Sequence, residues 1–293
     1  MNNYNIYDQN TLLLAKVPDV LDRANMLSTE DLGVYVSNIS SFFTTRVKAI
    51  SEFFSSTSDR VGDLDVKDLN EHTKKLMKLH TTAVKLSTST KFDTVMDIQV
   101  PVMIGLSKDL VTTVDKISLL SDKLTKDTIA VLTELDMVSS KMLSDSNFRL
   151  ATKPHKYKSD DGTLGYELEQ VLGELIDPKS LTDRKPMHEL LPNMSSLPKL
   201  VQATGKLGVI TTSKNITTIQ DHTRVISERI NTLYNEFEGN PDIKVSKEAI
   251  RDFAYKMEST SKLVTTVVSY YHVINQVTDT LIHVINTISK FKK

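Results

Sequence analysis

Over most of this 293-residue chain the apolar side chains recur at alternating steps of four and three. Between Ser28 and about Arg60 the series is Leu32, Val36, Ile39, Phe43, Val47, Ile50 and Phe54, the spacing of one helix face. Ser28 with Asp31 three residues on supplies a hydroxyl and an acid for the first turn. A second helix is predicted from about Val66 to Leu86, with Leu69, Leu76, His80, Ala83 and Val84 on one side and Lys74, Lys75, Lys78 and Lys85 elsewhere. Pro101 disfavours helix at Val100, so a break is expected there. Ser107 to Leu143 then places Leu110, Val114, Ile117, Leu120, Leu124, Val131, Leu135, Val138 and Met142 on one stripe. Such a helix is about 50 Å long.

The pattern lapses from about Ala151 to Pro198. Five prolines (Pro154, Pro178, Pro186, Pro192, Pro198) fall there with Gly162, Gly165 and Gly173, and only Leu164 to Ile176 reads as helix. Helix returns from Leu200 to Phe237, its first turns loosened by Gly205 and Gly208, and stops at Gly239-Asn240-Pro241. The last helix, about Ser246 to Phe291, keeps the four-three spacing through Phe253, Met257, Val264, Val267, Tyr271, Ile274, Leu281, Ile285 and Ile288. These elements predict an all-α fold: an elongated bundle of long antiparallel amphipathic helices with a Pro-rich irregular middle. The expected division is an N-terminal arm and short helix (1–27), a helical half (28–150), a connecting or docking segment (151–199) and a long helical hairpin (200–293).

Composition narrows the chemistry. With no cysteine, a disulfide scaffold and a thiolate metal site are excluded. A net charge of -1 gives no global attraction to polyanions. Ser and Thr make up roughly a fifth of the chain, more than ordinary usage, which predicts narrow apolar seams lined with hydroxyls. The first ten residues lack the basic and apolar regions of an export signal, and the most apolar window, Leu263 to Ile288, is interrupted by His272, Asn275, Gln276, Asp279 and His283. A soluble chain without a membrane span is expected.

No candidate catalytic constellation emerges. The seven histidines form no His-Glu-x-x-His pattern, and Ala203-Thr-Gly-Lys-Leu-Gly208 lacks the spacing of a phosphate loop. Neither Asp93 with Asp97 nor Glu167 with Glu169 has a pocket to act in. Lys74, Lys75 and Lys78 are offset by Asp65, Asp68 and Glu71 and lack interleaved aromatics for base stacking, while Lys290, Lys292 and Lys293 suit a helix C-terminus. The expectation is therefore no enzyme, no cofactor, no metal, no small-molecule substrate and no specific nucleic-acid binding. Contact candidates are the aromatics Phe42, Phe43, Phe53 and Phe54, too wide for one seam and covered by a third helix or another subunit, together with Tyr270 and Tyr271.

The arm Met1 to Asn10 and the run Met257-Glu-Ser-Thr-Ser-Lys-Leu-Val-Thr-Thr-Val-Val-Ser-Tyr-Tyr271 resemble the helical virion proteins of large tailed bacteriophages. That resemblance implies a structural part in a capsid, neck, tail or internal head, assembled in the host cytoplasm, with copies of itself or other virion proteins as partners and no active site. Two other readings stay open. A soluble pore-former needs a hidden apolar hairpin, for which Gln99 to Leu106 is too short. An adaptor or enzyme needs a pocket in the middle segment, lined by His155, Tyr157, Tyr166 and His188.

Overall fold

The computed structural model describes residues 38–102, 106–176, 184–210, 213–240 and 243–291. The expected helix start at Ser28 and the 1–27 arm lie outside them. The described chain is mostly helical, with two short strands.

Helix α1 (Asn38–Gly62) is followed by α2 (Val66–Lys78) and α3 (His80–Ser89), strand β1 (Gln99–Pro101), α4 (Leu110–Ser144) and the short α5 (Ser146–Arg149). After it come α6 (Asp161–Leu175), β2 (Arg184–Pro186), the single turn α7 (Met187–Leu190), α8 (Leu197–Ile210), α9 (Ser213–Gly239) and α10 (Lys247–Phe291). Four aspartates set helix starts. Asp65, Asp109, Asp145 and Asp160 each accept a bond from a backbone N–H of the following first turn, satisfying donors that have no partner within the helix.

Two long helices of the sequence reading are divided. The expected 66–86 helix breaks at Leu79, which stays in the right-handed region (φ -84°, ψ -3°) but opens the hydrogen-bond ladder ahead of the β-branched pair Thr81-Thr82. The expected 200–237 helix becomes α8 and α9, and α8 begins at Leu197. Pro198 therefore sits in a first turn, where its missing N–H has no intrahelical acceptor to lose. At Val100 the expected break is present: β1 pairs antiparallel with β2, Val100 opposite Lys185.

Helix α10, 45 residues and about 68 Å long, is the axis of the molecule. Between Ala249 and Ile288 it is buried on most of its circumference, because apolar residues occupy every side and charges are few. It packs against α1, α2, α3, α4, α6, α8 and β1, and α1 and α4 both pack on α9. One apolar cluster runs from Val47 on α1 through Leu132 on α4, Leu168 on α6 and Leu190 on α7 to Ile288 on α10. The seam between α1 and its partners carries hydroxyls, as composition predicted: Ser51 donates to the Asn231 side-chain oxygen, and Ser55 pairs with Ser227 (3.1 Å) and Thr57 with Ser261.

Candidate functional site

The densest set of chemically capable side chains lies where the chain crosses from α5 to α6. Residues 150–160 have no regular structure, yet burial alternates along part of them: His155, Tyr157 and Ser159 turn inward while Pro154, Lys156, Lys158 and Asp160 are exposed. This is the period of an extended strand, paired with no other among the described residues. Its backbone is satisfied instead by side chains of α4 and α10. The two carboxylate oxygens of Glu134 accept the N–H groups of Lys158 and Ser159, each at 2.8 Å. Asp252 accepts the His155 N–H at 3.1 Å, and Ser246, just before α10, donates its N–H to Arg149 O (2.8 Å) and its hydroxyl to Ala151 O.

Beneath this strap sits Lys256, 4% exposed. Its ammonium donates to Ser159 O (2.9 Å) and Asp161 Oδ1 (3.0 Å) and lies 4.8 Å from the centre of the Tyr157 ring. Asp161 is itself buried, and its other oxygen accepts the hydroxyls of Ser259 (2.6 Å) and Thr260 (3.0 Å). Every polar direction of this pair is therefore engaged, as a buried charge pair requires. Above it, the His155 ring meets Tyr157 edge-on at 4.9 Å and Phe148 at 5.6 Å. His155 Nε2 and the Tyr157 hydroxyl are buried without a hydrogen-bond partner among the described residues.

Electrostatics pull the two strap carboxylates apart. Partial burial pushes Glu134 up, but the N–H groups of Lys158 and Ser159 outweigh it, and the carboxyl sits below its ordinary range. For Asp252 burial wins over the His155 N–H and the nearby cations, so its value is raised. Burial first, and then the charges of Asp252, Glu134 and Asp161, drive the Tyr157 phenol far above its usual value. The arrangement is a clamp: the ammonium has its donors committed and the phenol holds its proton at any ordinary pH.

A second feature is an open cleft of about 500 Å³ between the end of α1 and the start of α9, lined by Ser58, Asp59, Gly62, Asp63, Gln220, Asp221 and Arg224. Among the described residues no group of His, Asp and Glu has the arrangement of a metal site.

Of the four residues expected to line a pocket, the structure brings His155 and Tyr157 together. Tyr166 is exposed and bonded to Gln170, and His188 is exposed with Nδ1 3.0 Å from Met96 O. The contact candidates also separate. Tyr270 and Tyr271 are not surface residues: both are fully enclosed, Tyr270 donating to Ile117 O at 3.0 Å, because α10 is apolar on every side and has neighbours on most of them. Burial pushes the Tyr271 hydroxyl up to about 12. Phe54 is buried in the core and Phe53 is half-buried, while the side chains of Phe42 and Phe43 lie outside the described residues. The Gly205 and Gly208 pair is no loosened helix start. It lies in the second half of α8, where a Cβ on Gly205 overlaps Met77 and one on Gly208 overlaps Thr73, so the glycines let α8 and α2 approach closely. Lys256, Asp161, Glu134 and Asp252 were missed by sequence reasoning, although the alternation His155, Tyr157, Ser159 was a readable signal.

No family model, curated protein or solved structure matches this chain.

Proposed function

We propose that this chain is a non-enzymatic structural protein of a particle, a virion component of a large tailed bacteriophage, acting through helix packing with copies of itself or with other particle proteins. The observation that carries the reading is α10. A helix of about 68 Å exceeds the roughly 50 Å diameter that a compact chain of this length has, which supports reading the bundle around it as elongated and stiff. The chain spends its apolar and hydroxyl residues on holding that rod, and its most reactive groups on clamping the irregular middle segment to it. Large apolar side chains left at the surface, Leu119 (81% exposed), Tyr255 (73%), Tyr166 (61%) and Phe291 (60%), offer contact points along its length.

Among the described residues no helix is long and apolar enough to cross a membrane, which weighs against a helical pore-former. A helical adaptor is the second reading, and the acid-lined α1–α9 cleft is the observation in its favour. Small-angle X-ray scattering across a concentration series tests the leading reading. It predicts a maximum dimension of at least about 65 Å and a scattering mass that grows with concentration; a compact particle of constant monomer mass contradicts it.

A further inference from the structure

The lysines of α2, α3 and α8 form a surface that no single segment of the sequence displays. On α2 and α3, Lys74, Lys78, Thr81, Lys85 and Thr88 follow the four-three step, and Leu79 between the helices keeps right-handed backbone. On α8, Lys199, Gln202 and Lys206 form a second stripe. All five lysines are exposed, and among the described residues none makes an ion pair. No acid occurs between Glu71 and Asp93, nor between Glu189 and Asp221, so the acids that flank the first stripe in sequence stop at its ends.

The packing puts both stripes on one side. Gly208 faces Thr73, Gly205 faces Met77, and α3 packs on α8 and on the 194–196 turn before it, so α8 runs antiparallel to the α2–α3 pair. Going round α2 at 100° per residue, the core side (Leu69, Leu76) is followed by the α8 side (Thr73, Met77) and then by the lysines. Going round α8 in the same rotational sense, the core side (Leu200, Leu207) is followed by the α2 side (Gly205, Gly208) and then by its lysines. Because the helices are antiparallel, rotations of the same sense are mirror-related, and both stripes emerge on the same outer face, the α8 lysines splayed further from the partner helix than those of α2. The glycines bring them close. Met77 and Val84, 43% and 42% exposed, lie on the side of the α2–α3 pair that turns towards α8.

From this juxtaposition we propose that the Lys74–Lys78–Lys85 and Lys199–Lys206 face binds the phosphate backbone of double-stranded nucleic acid without reading its sequence. Lysine is a compact point charge suited to phosphate, whereas protein interfaces are depleted in it. The absence of arginine and of aromatic residues from the stripes removes base-edge reading and base stacking. The large apolar side chains exposed on this face among the described residues are Met77 and Val84, short of the Trp, Phe and Leu face by which a basic amphipathic helix enters a lipid surface. Thr81 and Gln202 add neutral donors to phosphate. This inference goes beyond the structural role and stands without it.

The test is fluorescence anisotropy of a labelled mixed-sequence duplex of about 25 base pairs with the full chain, titrated from roughly 25 to 200 mM salt. Five phosphate contacts predict a log–log salt slope of about -4.5, the same for an unrelated duplex sequence. Replacing all five lysines by Gln (K74Q, K78Q, K85Q, K199Q, K206Q) is expected to weaken binding at low salt at least about 100-fold and to flatten the slope towards zero. Replacing five exposed lysines elsewhere (Lys126, Lys141, Lys153, Lys244, Lys262) leaves the slope within about one of the wild-type value. Circular dichroism melting of both variants reports whether they fold, and a single K78E variant repeats the test with one substitution. An unchanged slope in the folded five-lysine variant, no binding by the wild type at the lowest salt, or binding to phosphatidylserine vesicles with none to the duplex overturns the proposal.

Discussion

Lys256 and Lys78 carry the same ammonium on the same four-carbon stem, and the fold gives them opposite surroundings. Lys256 lies under the 150–160 strap with Asp161, a carbonyl and an aromatic face around it, while Lys78 stands in solvent with lysines and threonines, and no acid, along its stripe. In the clasp, charge is consumed internally and holds the chain together. On the α2–α8 face it is left unspent, and like charges side by side contribute nothing to folding. The difference teaches that the part a charge plays is set by which helix packs beside it. Neither lysine differs from the other in its own sequence neighbourhood in a way that predicts this.

The sharpest way to break the comparison is Lys256→Met. Removing the cation leaves Asp161 buried with an uncompensated charge, and a loss of about 3–5 kcal/mol is expected in urea unfolding. Adding Asp161→Asn to the same chain restores much of that loss, because the orphaned charge is gone. A single substitution that changes the midpoint by a few tenths only contradicts the clamp.

Next in size is Gly208→Ala, where the new methyl meets Thr73, a stiff β-branched neighbour. It is expected to cost about 1–3 kcal/mol and to part α2 from α8. Gly205→Ala meets the end of the flexible Met77 side chain, so a smaller loss in the same assay is expected.

Smaller still, and opposite in sign, are the strap carboxylates. The folded value of Glu134 is lowered, so its stabilisation is present above its unfolded value of about 4.3 and is lost as pH falls through the folded one. Glu134→Gln therefore lowers the melting temperature at pH 7, with the gap to wild type closing as the pH falls through the lowered folded value. The folded value of Asp252 is raised, so stability is lost as pH rises from about 3.9 through that value. Asp252→Asn, whose amide oxygen still accepts from His155, leaves the melting temperature at pH 7 unchanged or higher, and the difference vanishes in acid. Melting curves across pH that move both variants the same way break the assignment. Smallest is the lysine face: the five-Gln variant stays within about 0.5 kcal/mol of wild type, since none of those side chains has an ion-pair partner to lose among the described residues.

What the sequence made legible follows from what is local. The four-three spacing located α1, α4 and α10, and Pro101 marked the break at Val100, because periodicity and backbone restriction act over a few residues. The division of 66–86 at Leu79 was hidden, since the same apolar stripe runs through both pieces. Tyr270 and Tyr271 were misplaced for a related reason. Their stretch of α10 has apolar residues all round it, a mark of a central helix, but the regular heptad stripe drew attention to one face. The clasp needed Asp161, Lys256, Glu134 and Asp252 to meet across separations of roughly twenty to a hundred residues, which no local pattern encodes. The acid-free runs on either side of the lysine stripes were visible, and only the antiparallel packing of α8 on α2 shows that they share a face.

The most direct test of the structural role is light scattering on the full chain as it leaves a size-exclusion column, loaded at rising concentrations. Self-association predicts a mass that climbs above 32.9 kDa towards multiples of it, and substitution of the exposed Leu119 and Tyr255 by Ser lowers that climb. A mass that stays at 32.9 kDa at every concentration contradicts assembly with copies of itself.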